Sequence, residues 1–299
     1  MRDDGSYVSK LKGIDTIYII NLLGSFVRED NMRKQMAKIG FIENVDYEFI
    51  RPINFAIDDV TIEELTQLGI LPVDVNLFDN ELYSNGLWKV GTISLSIITY
   101  YIFLKANRNN KTILIFEDNI TLCDDFINKY NTFYDNLPDN NWKSLELHSF
   151  NNCSYTKECY DHYCRIRDAY SGFKNIVIKD YNNHHIINNK SRAIYNDKVL
   201  IGVNEGAGAK AYVIKPCSIN YIQPLPILNP ADGIKNWLSG YWNEGLSYVP
   251  SELLINEVDG STSDRRDVDS KISKGTYQKL PDHVRREIIE TLQSAIYTP

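Results

Sequence analysis

Short apolar runs alternate with helix-patterned segments along the first half of this chain, and that alternation constrains the fold more than any other feature. Asp15–Asn21 (DTIYIIN) is a brief Ile-rich run of the kind that fills a buried strand. Arg28–Ile39 follows with Met32, Met36 and Ile39 at i, i+4 and i+7, a helical period that Gly40 is placed to stop. Tyr47–Ile53 (YEFIRPI) predicts a second strand, and Val60–Leu68 a short helix opened by Asp58 and Asp59 and closed by Gly69. Val90–Ala106 reads as a long buried helix. Lys111–Phe116 (KTILIF) has the clearest strand pattern in the chain and runs straight into Glu117-Asp118-Asn119. Asp124–Asn136 reads as a helix ended by Pro138, and Trp142–His148 (WKSLELH) as a further strand. Repeated strand–helix–strand units predict an α/β fold, a Rossmann-type, mostly parallel sheet with helices on both faces. Such sheets bind ligands outside the carboxyl ends of their strands. The loops after Asn21, Ile53, Phe116 and His148 therefore hold the candidate site.

The second half is less regular. Asn151–Glu205 is rich in Asn, Tyr, Cys and His without a clean period, and reads as an insertion (151–205) with strand content at Asn175–Lys179. The pattern resumes at Lys210–Ile214 (KAYVI), behind Gly206-Ala207-Gly208. Pro230–Leu238 predicts a short helix with proline at its start. Val284, Ile288, Ile289, Leu292 and Ile296 form one stripe over Pro281–Tyr297, an amphipathic helix that makes 277–299 a helical tail.

With 299 residues, 43% of them hydrophobic, the chain suits a single domain (1–299) with a substantial core. A net charge of -7 and the lack of a basic block argue against nucleic acid as a partner. The uncharged run Val90–Leu104 has 15 residues and includes Ser94, Ser96 and Thr99, whereas a membrane span needs roughly 17–25. No apolar segment follows the charged Met1–Asp4, and the five cysteines are odd in number. A cytoplasmic location with reduced thiols is the expectation. The 30 Asn and 36 Ile fit an AT-rich genome, such as that of a bacterium or of a large virus in host cytoplasm.

Glu117-Asp118-Asn119 sets oxygen donors at the end of a buried strand. Hard oxygen ligands suit Mg²⁺ or Mn²⁺, and such an ion can neutralise charge on a departing nucleotide. The alternative is a solvated strand-to-helix turn with aspartate as the helix cap. Glu146 and His148 alternate along one strand and so share a face. His148, near the strand's end, could complete a metal site or touch an acceptor. Cys153, Cys159, Cys164 and His162 are spaced more loosely than structural zinc ligands and read as thiols of the insertion. Trp88, Trp237 and Trp242 are candidate stacking platforms for sugars.

Five stretches in order, 17–36, 90–103, 113–126, 206–216 and 229–238, resemble the LPS/procollagen glycosyltransferase family, family 25 of the glycosyltransferases. The elements that carry the resemblance are Ile20-Asn21-Leu22 with Arg28, the helix entry at Gly91, Glu117-Asp118-Asn119 and Gly208 to Lys215. Pro230-Ala231-Asp232 and Asp269-Ser270-Lys271-Ile272 complete the set. The resemblance implies a GT-A-like domain that moves a sugar, with inversion and metal assistance, from a UDP-sugar to a glycan or protein hydroxyl. It implies donor-site roles for Asn21, Leu22, Arg28, Asn54, Gly91 and Asp118; Asn21 could present backbone or amide to a uracil edge, and the Arg28 guanidinium could pair with a diphosphate. Glu117, Asp118, Asn119 and His148 would hold Mn²⁺ or Mg²⁺, and Asp232 would be the base that deprotonates the acceptor. The chain departs from the family at Asn119, where a third acid is usual, and at Leu23, Leu95, Ser96 and Trp142-Lys143-Ser144. Those departures keep open an alternative, a catalytically weak or inactive module that binds nucleotide or glycan.

Overall fold

In a computed structural model, the described residues are 10–71, 86–138, 140–148, 193–194, 196–201, 210–221, 225, 247–252, 254–257 and 277–296. In chain order they form β1 (Thr16–Ile20), α1 (Phe26–Lys38), β2 (Tyr47–Ile50), α2 (Ile62–Gln67), α3 (Gly86–Arg108) and β3 (Ile113–Glu117). Then come β4 (Ile120–Leu122), α4 (Phe126–Asp135), β5 (Ser144–His148), β6 (Ala193–Ile194), β7 (Val199–Ile201) and β8 (Ala211–Ile214). β9 (Ser247–Pro250), β10 (Ile255–Glu257) and α5 (Asp282–Ile296) complete the set.

Eight strands form one sheet in the order β2-β1-β3-β8-β5-β9-β7-β6. β1 pairs in parallel with both β2 and β3, and β5 with β9, while β8 and β7 run against the other six. The mixed α/β architecture with a mostly parallel sheet is therefore present. Its strands sort their side chains with period two, as a sheet covered on both faces requires. Tyr18, Ile20, Ile113, Ile115, Tyr212 and Ile214 face the core that holds Ile93, Ile97 and Ile98 of α3. Ile17, Ile19, Leu114, Phe116 and Val213 face the opposite core, with Met32 and Met36 of α1 and Phe126, Tyr130 and Phe133 of α4.

The glycine stops act as the sequence predicts. Gly40 and Gly69 adopt left-handed backbone conformations (φ 76° and 73°) just past α1 and α2. Each sits in a Schellman closure: Phe41 and Gly40 donate to Met36 and Ala37, and Ile70 and Gly69 donate to Leu65 and Thr66.

Several expectations need correction. β2 stops at Ile50, three residues early, because Pro52 has no N–H to extend the ladder. Asp58 and Asp59 do not open α2: Thr61 caps it, its hydroxyl accepting the Glu64 N–H at 3.0 Å. Asp118-Asn119 is not a strand-to-helix turn. It links β3 to β4, a strand that pairs antiparallel with β10 in a second, two-stranded sheet. The end of the 151–205 insertion supplies β7 and β6, the outermost strands of the main sheet. A register irregularity falls between Glu146 and His148 on β5. Asn175–Lys179 and Pro230–Leu238 lie outside the described residues.

The helical tail docks on its own chain. Ile288 and Leu292 of α5 join the α3 core, and the Tyr101 hydroxyl donates to Glu287 at 2.5 Å. The segment before α5 crosses the loops at the carboxyl edge: Gln278 N–H donates to the Leu23 carbonyl at 3.0 Å, and Leu280 N–H to Asp58 at 2.7 Å. Among the described residues, no helix is long and apolar enough to cross a membrane.

Candidate functional site

The chain leaves β1 through α1 to β2 on one side, then crosses through α3 to β3 on the other. The carboxyl end of β1 is therefore a topological switch point, the place where open α/β sheets bind ligands. Register puts Ile20 opposite both Ile50 and Glu117. The residues that follow them, Asn21, Arg51 and Asp118, come level just beyond the sheet.

Asp118 is the hub, only 7% exposed. Its Oδ2 accepts from Asn21 Nδ2 at 2.7 Å, and its Oδ1 accepts from Arg28 Nη1 at 3.2 Å. Arg28 stands in the first turn of α1, where Ser25 makes no side-chain cap bond. A guanidinium thus stands at the start of a helix beside the carboxyl edge of the sheet, an arrangement suited to an anion.

Asn21 is 1% exposed and uses both ends of its amide: Arg51 Nη1 donates to Oδ1, while Nδ2 holds Asp118. Its side chain is occupied inside the protein. Leu22 lies in the loop before α1, its carbonyl accepting from Ser25 N–H at 2.9 Å. Glu117 closes β3, its N–H bonded to the Lys210 carbonyl at 2.8 Å and its carboxylate 3.8 Å from the Lys210 ammonium. Asn54 is buried in the loop after β2, where its N–H donates to Asp58 at 2.5 Å and its Oδ1 accepts from Ala56 N–H. Gly91 lies in α3, one turn from Ser94, whose hydroxyl donates to the Ile53 carbonyl at 2.5 Å. His148 ends β5 opposite Ala211 at the same edge of the sheet. Asp232 lies outside the described residues. The structure thus joins Asn21, Arg28 and Asp118 in one bonded group and places Asn54 and Gly91 in the neighbouring loop and helix.

Two members of this site escape sequence reading. Arg51 Nη2 lies 2.9 Å from Glu29 Oε1, and Glu29, 6% exposed, also takes Arg33 Nη2 at 2.6 Å. Arg33 reaches on to Glu43 at 2.8 Å, a contact that holds the Glu43 carboxyl below its ordinary value. Both arginines approach the Phe49 ring, whose centroid lies 4.8 Å from the Arg51 guanidinium and 5.1 Å from that of Arg33.

The donors fit a small, hard cation. Asn119 is 7% exposed, and its Oδ1 is buried with no hydrogen-bond partner among the described residues. An orphaned buried acceptor beside a carboxylate suits a divalent ion that keeps most of its waters. The described residues contain no group of three or more His, Cys, Asp and Glu placed to hold a metal. Of the four expected ligands, Asp118 and Asn119 are adjacent and buried at this edge of the sheet. The sequence matches no protein-family model and no curated protein.

Proposed function

We propose that this protein is a glycosyltransferase that moves a sugar from a nucleoside diphosphate, most simply UDP, to a hydroxyl of a glycan or protein. The observation that carries the reading is the pairing of Arg28 with Asp118 at the switch point between β1 and β3. A guanidinium and a carboxylate side by side at one strand edge support the reading, since a metal–diphosphate ligand calls for both charges. The order of motifs that resemble family 25 supports the same reading.

In this reading the diphosphate takes Arg28 and the first-turn N–H groups of α1. Asn21 holds Asp118 in place from behind. Asp118 and Asn119 would hold a divalent cation, which would supply positive charge to neutralise the leaving diphosphate. Asp232 takes the acceptor's proton as its oxygen attacks the anomeric carbon, the single base that inversion needs.

A second reading, a module that binds nucleotide or glycan without turnover, is favoured by Asn119, which stands where the family carries an acid. Asn119→Asp separates the two. A weakened enzyme gains Mn²⁺-dependent release of UDP, whereas a module folds and stays inert.

The direct test is a thermal shift with UDP, with and without Mn²⁺. A ligand at 100 times its Kd adds about 2.7 kcal/mol of stability. A shift with UDP that grows with Mn²⁺ is the expected outcome. No shift at millimolar UDP removes the donor assignment.

A further inference from the structure

We infer that Arg51 is a positioning residue: it fixes the amide of Asn21, and through that amide it holds the Asp118 carboxylate in place. The consequence for ligand binding rests on the function proposed above; the coupling itself does not.

The argument is one of hydrogen-bond polarity. A guanidinium can only donate, and an ionised carboxylate can only accept. The amide atom facing Arg51 must be Asn21 Oδ1, so the NH₂ group must face Asp118 Oδ2, at 2.7 Å. Turned by 180°, the amide would set donor against donor at one end and acceptor against acceptor at the other. Arg51 therefore selects the one orientation in which Asn21 can grip Asp118.

Arg51 is itself fixed. Glu29 holds one side of the guanidinium at 2.9 Å, Phe49 lies under its plane, and the Asn21 carbonyl lies 3.4 Å from Nη1. Arg33 fixes Glu29 in turn at 2.6 Å. A directed chain runs Arg33, Glu29, Arg51, Asn21, Asp118 across three adjacent strand ends and the first two turns of α1. β2 and β3 flank β1, so Arg51 and Asp118 are two strand spacings apart, about 10 Å. Asn21 stands between them and bonds to both.

Arg51→Met and Asp118→Asn, made singly and together in the wild-type and Asn21→Ala backgrounds, test this by urea unfolding. With Asn21 present, the two substitutions are expected to be non-additive by at least fivefold in the unfolding equilibrium constant. In the Asn21→Ala background they are expected to add within twofold. Additivity in both backgrounds overturns the inference, since a role limited to neutralising Glu29 leaves Asp118 untouched. Arg51→Lys, which keeps the charge toward Glu29 but cannot span both partners, replaces Arg51→Met if that variant fails to fold. Calorimetric titration with Mn²⁺ alone gives the second readout. Arg51→Met is expected to weaken binding about tenfold with Asn21 present and to leave it unchanged in the Asn21→Ala background. Equal weakening in both backgrounds overturns the relay. A wild-type protein that shows the coupling yet binds neither Mn²⁺ nor UDP keeps Arg51 as a positioning residue and removes the glycosyltransferase reading.

Discussion

Asp118→Asn is expected to abolish the Mn²⁺-dependent part of the UDP thermal shift and to lower sugar transfer by at least a hundredfold. The variant keeps the shape of the side chain but loses the charge on which the crevice is organised. Both oxygens of Asp118 receive donors, Asn21 Nδ2 at 2.7 Å and Arg28 Nη1 at 3.2 Å. An amide presents one acceptor and one donor, so one of those partners would face an N–H in place of an oxygen. Charge-assisted hydrogen bonds are worth about 1.5–3 kcal/mol each. Arg28 retains some contact with water, at 18% side-chain exposure, which places the stability cost near the bottom of that range. Loss of one preorganised electrostatic group typically costs about 10²–10³ in turnover. Function should therefore fall much further than stability, and urea unfolding beside a UDP-release assay separates the two. A variant with the wild-type UDP and Mn²⁺ responses would remove Asp118 from the site.

The residues of the site divide by how far apart in sequence their causes lie. Asn21 and Asp118 could be found because each directly follows an apolar run, and in an α/β sheet the carboxyl end of such a run faces the crevice. Arg28 was legible for the same local reason, as a cation entering a helix. Arg51 and Glu29 carried no comparable signal. An arginine before a proline and an acid in a helix's first turn both have ordinary surface readings. What makes them part of the site is the register of β1 against β2, which brings Arg51 level with Asn21. That register is set by packing between segments thirty residues apart.

The same distinction explains the fold. Met32, Met36 and the two stop glycines declare α1 and α2 within a few residues. β4, at three residues, is too short to show a period, and it exists because β10 pairs with it from far along the chain. The outer strands β7 and β6 likewise take their identity from β9, and nothing local in 193–201 announces them.

Asp58→Ala is expected to destabilise the fold by about 3 kcal/mol and to loosen the C-terminal segment from the crevice loops. Sequence pattern offered Asp58 as a helix opener; its carboxylate instead points inward, fully buried, and ties three parts of the chain together. One oxygen accepts the Asn54 N–H at 2.5 Å and the other the Leu280 N–H at 2.7 Å, while Arg285 donates to its backbone carbonyl. Alanine would leave two buried N–H groups without acceptors, at about 1–3 kcal/mol each. Burial outweighs those two donors and raises the Asp58 pKa above its ordinary value. The folded state therefore holds the Asp58 proton more tightly than the unfolded chain does. The Asp58 contribution to stability is full below the ordinary carboxyl range and declines as pH rises through the raised value. The stability gap between wild type and Asp58→Ala should accordingly be wider near pH 4 than at pH 7. Urea unfolding of both proteins at the two pH values measures it. A gap that widens toward neutral pH would mean that the paired N–H groups, not burial, govern this carboxylate. An unchanged unfolding midpoint in Asp58→Ala would mean that the segment leading into α5 is held by the apolar contacts of Leu280 and Ile288 alone.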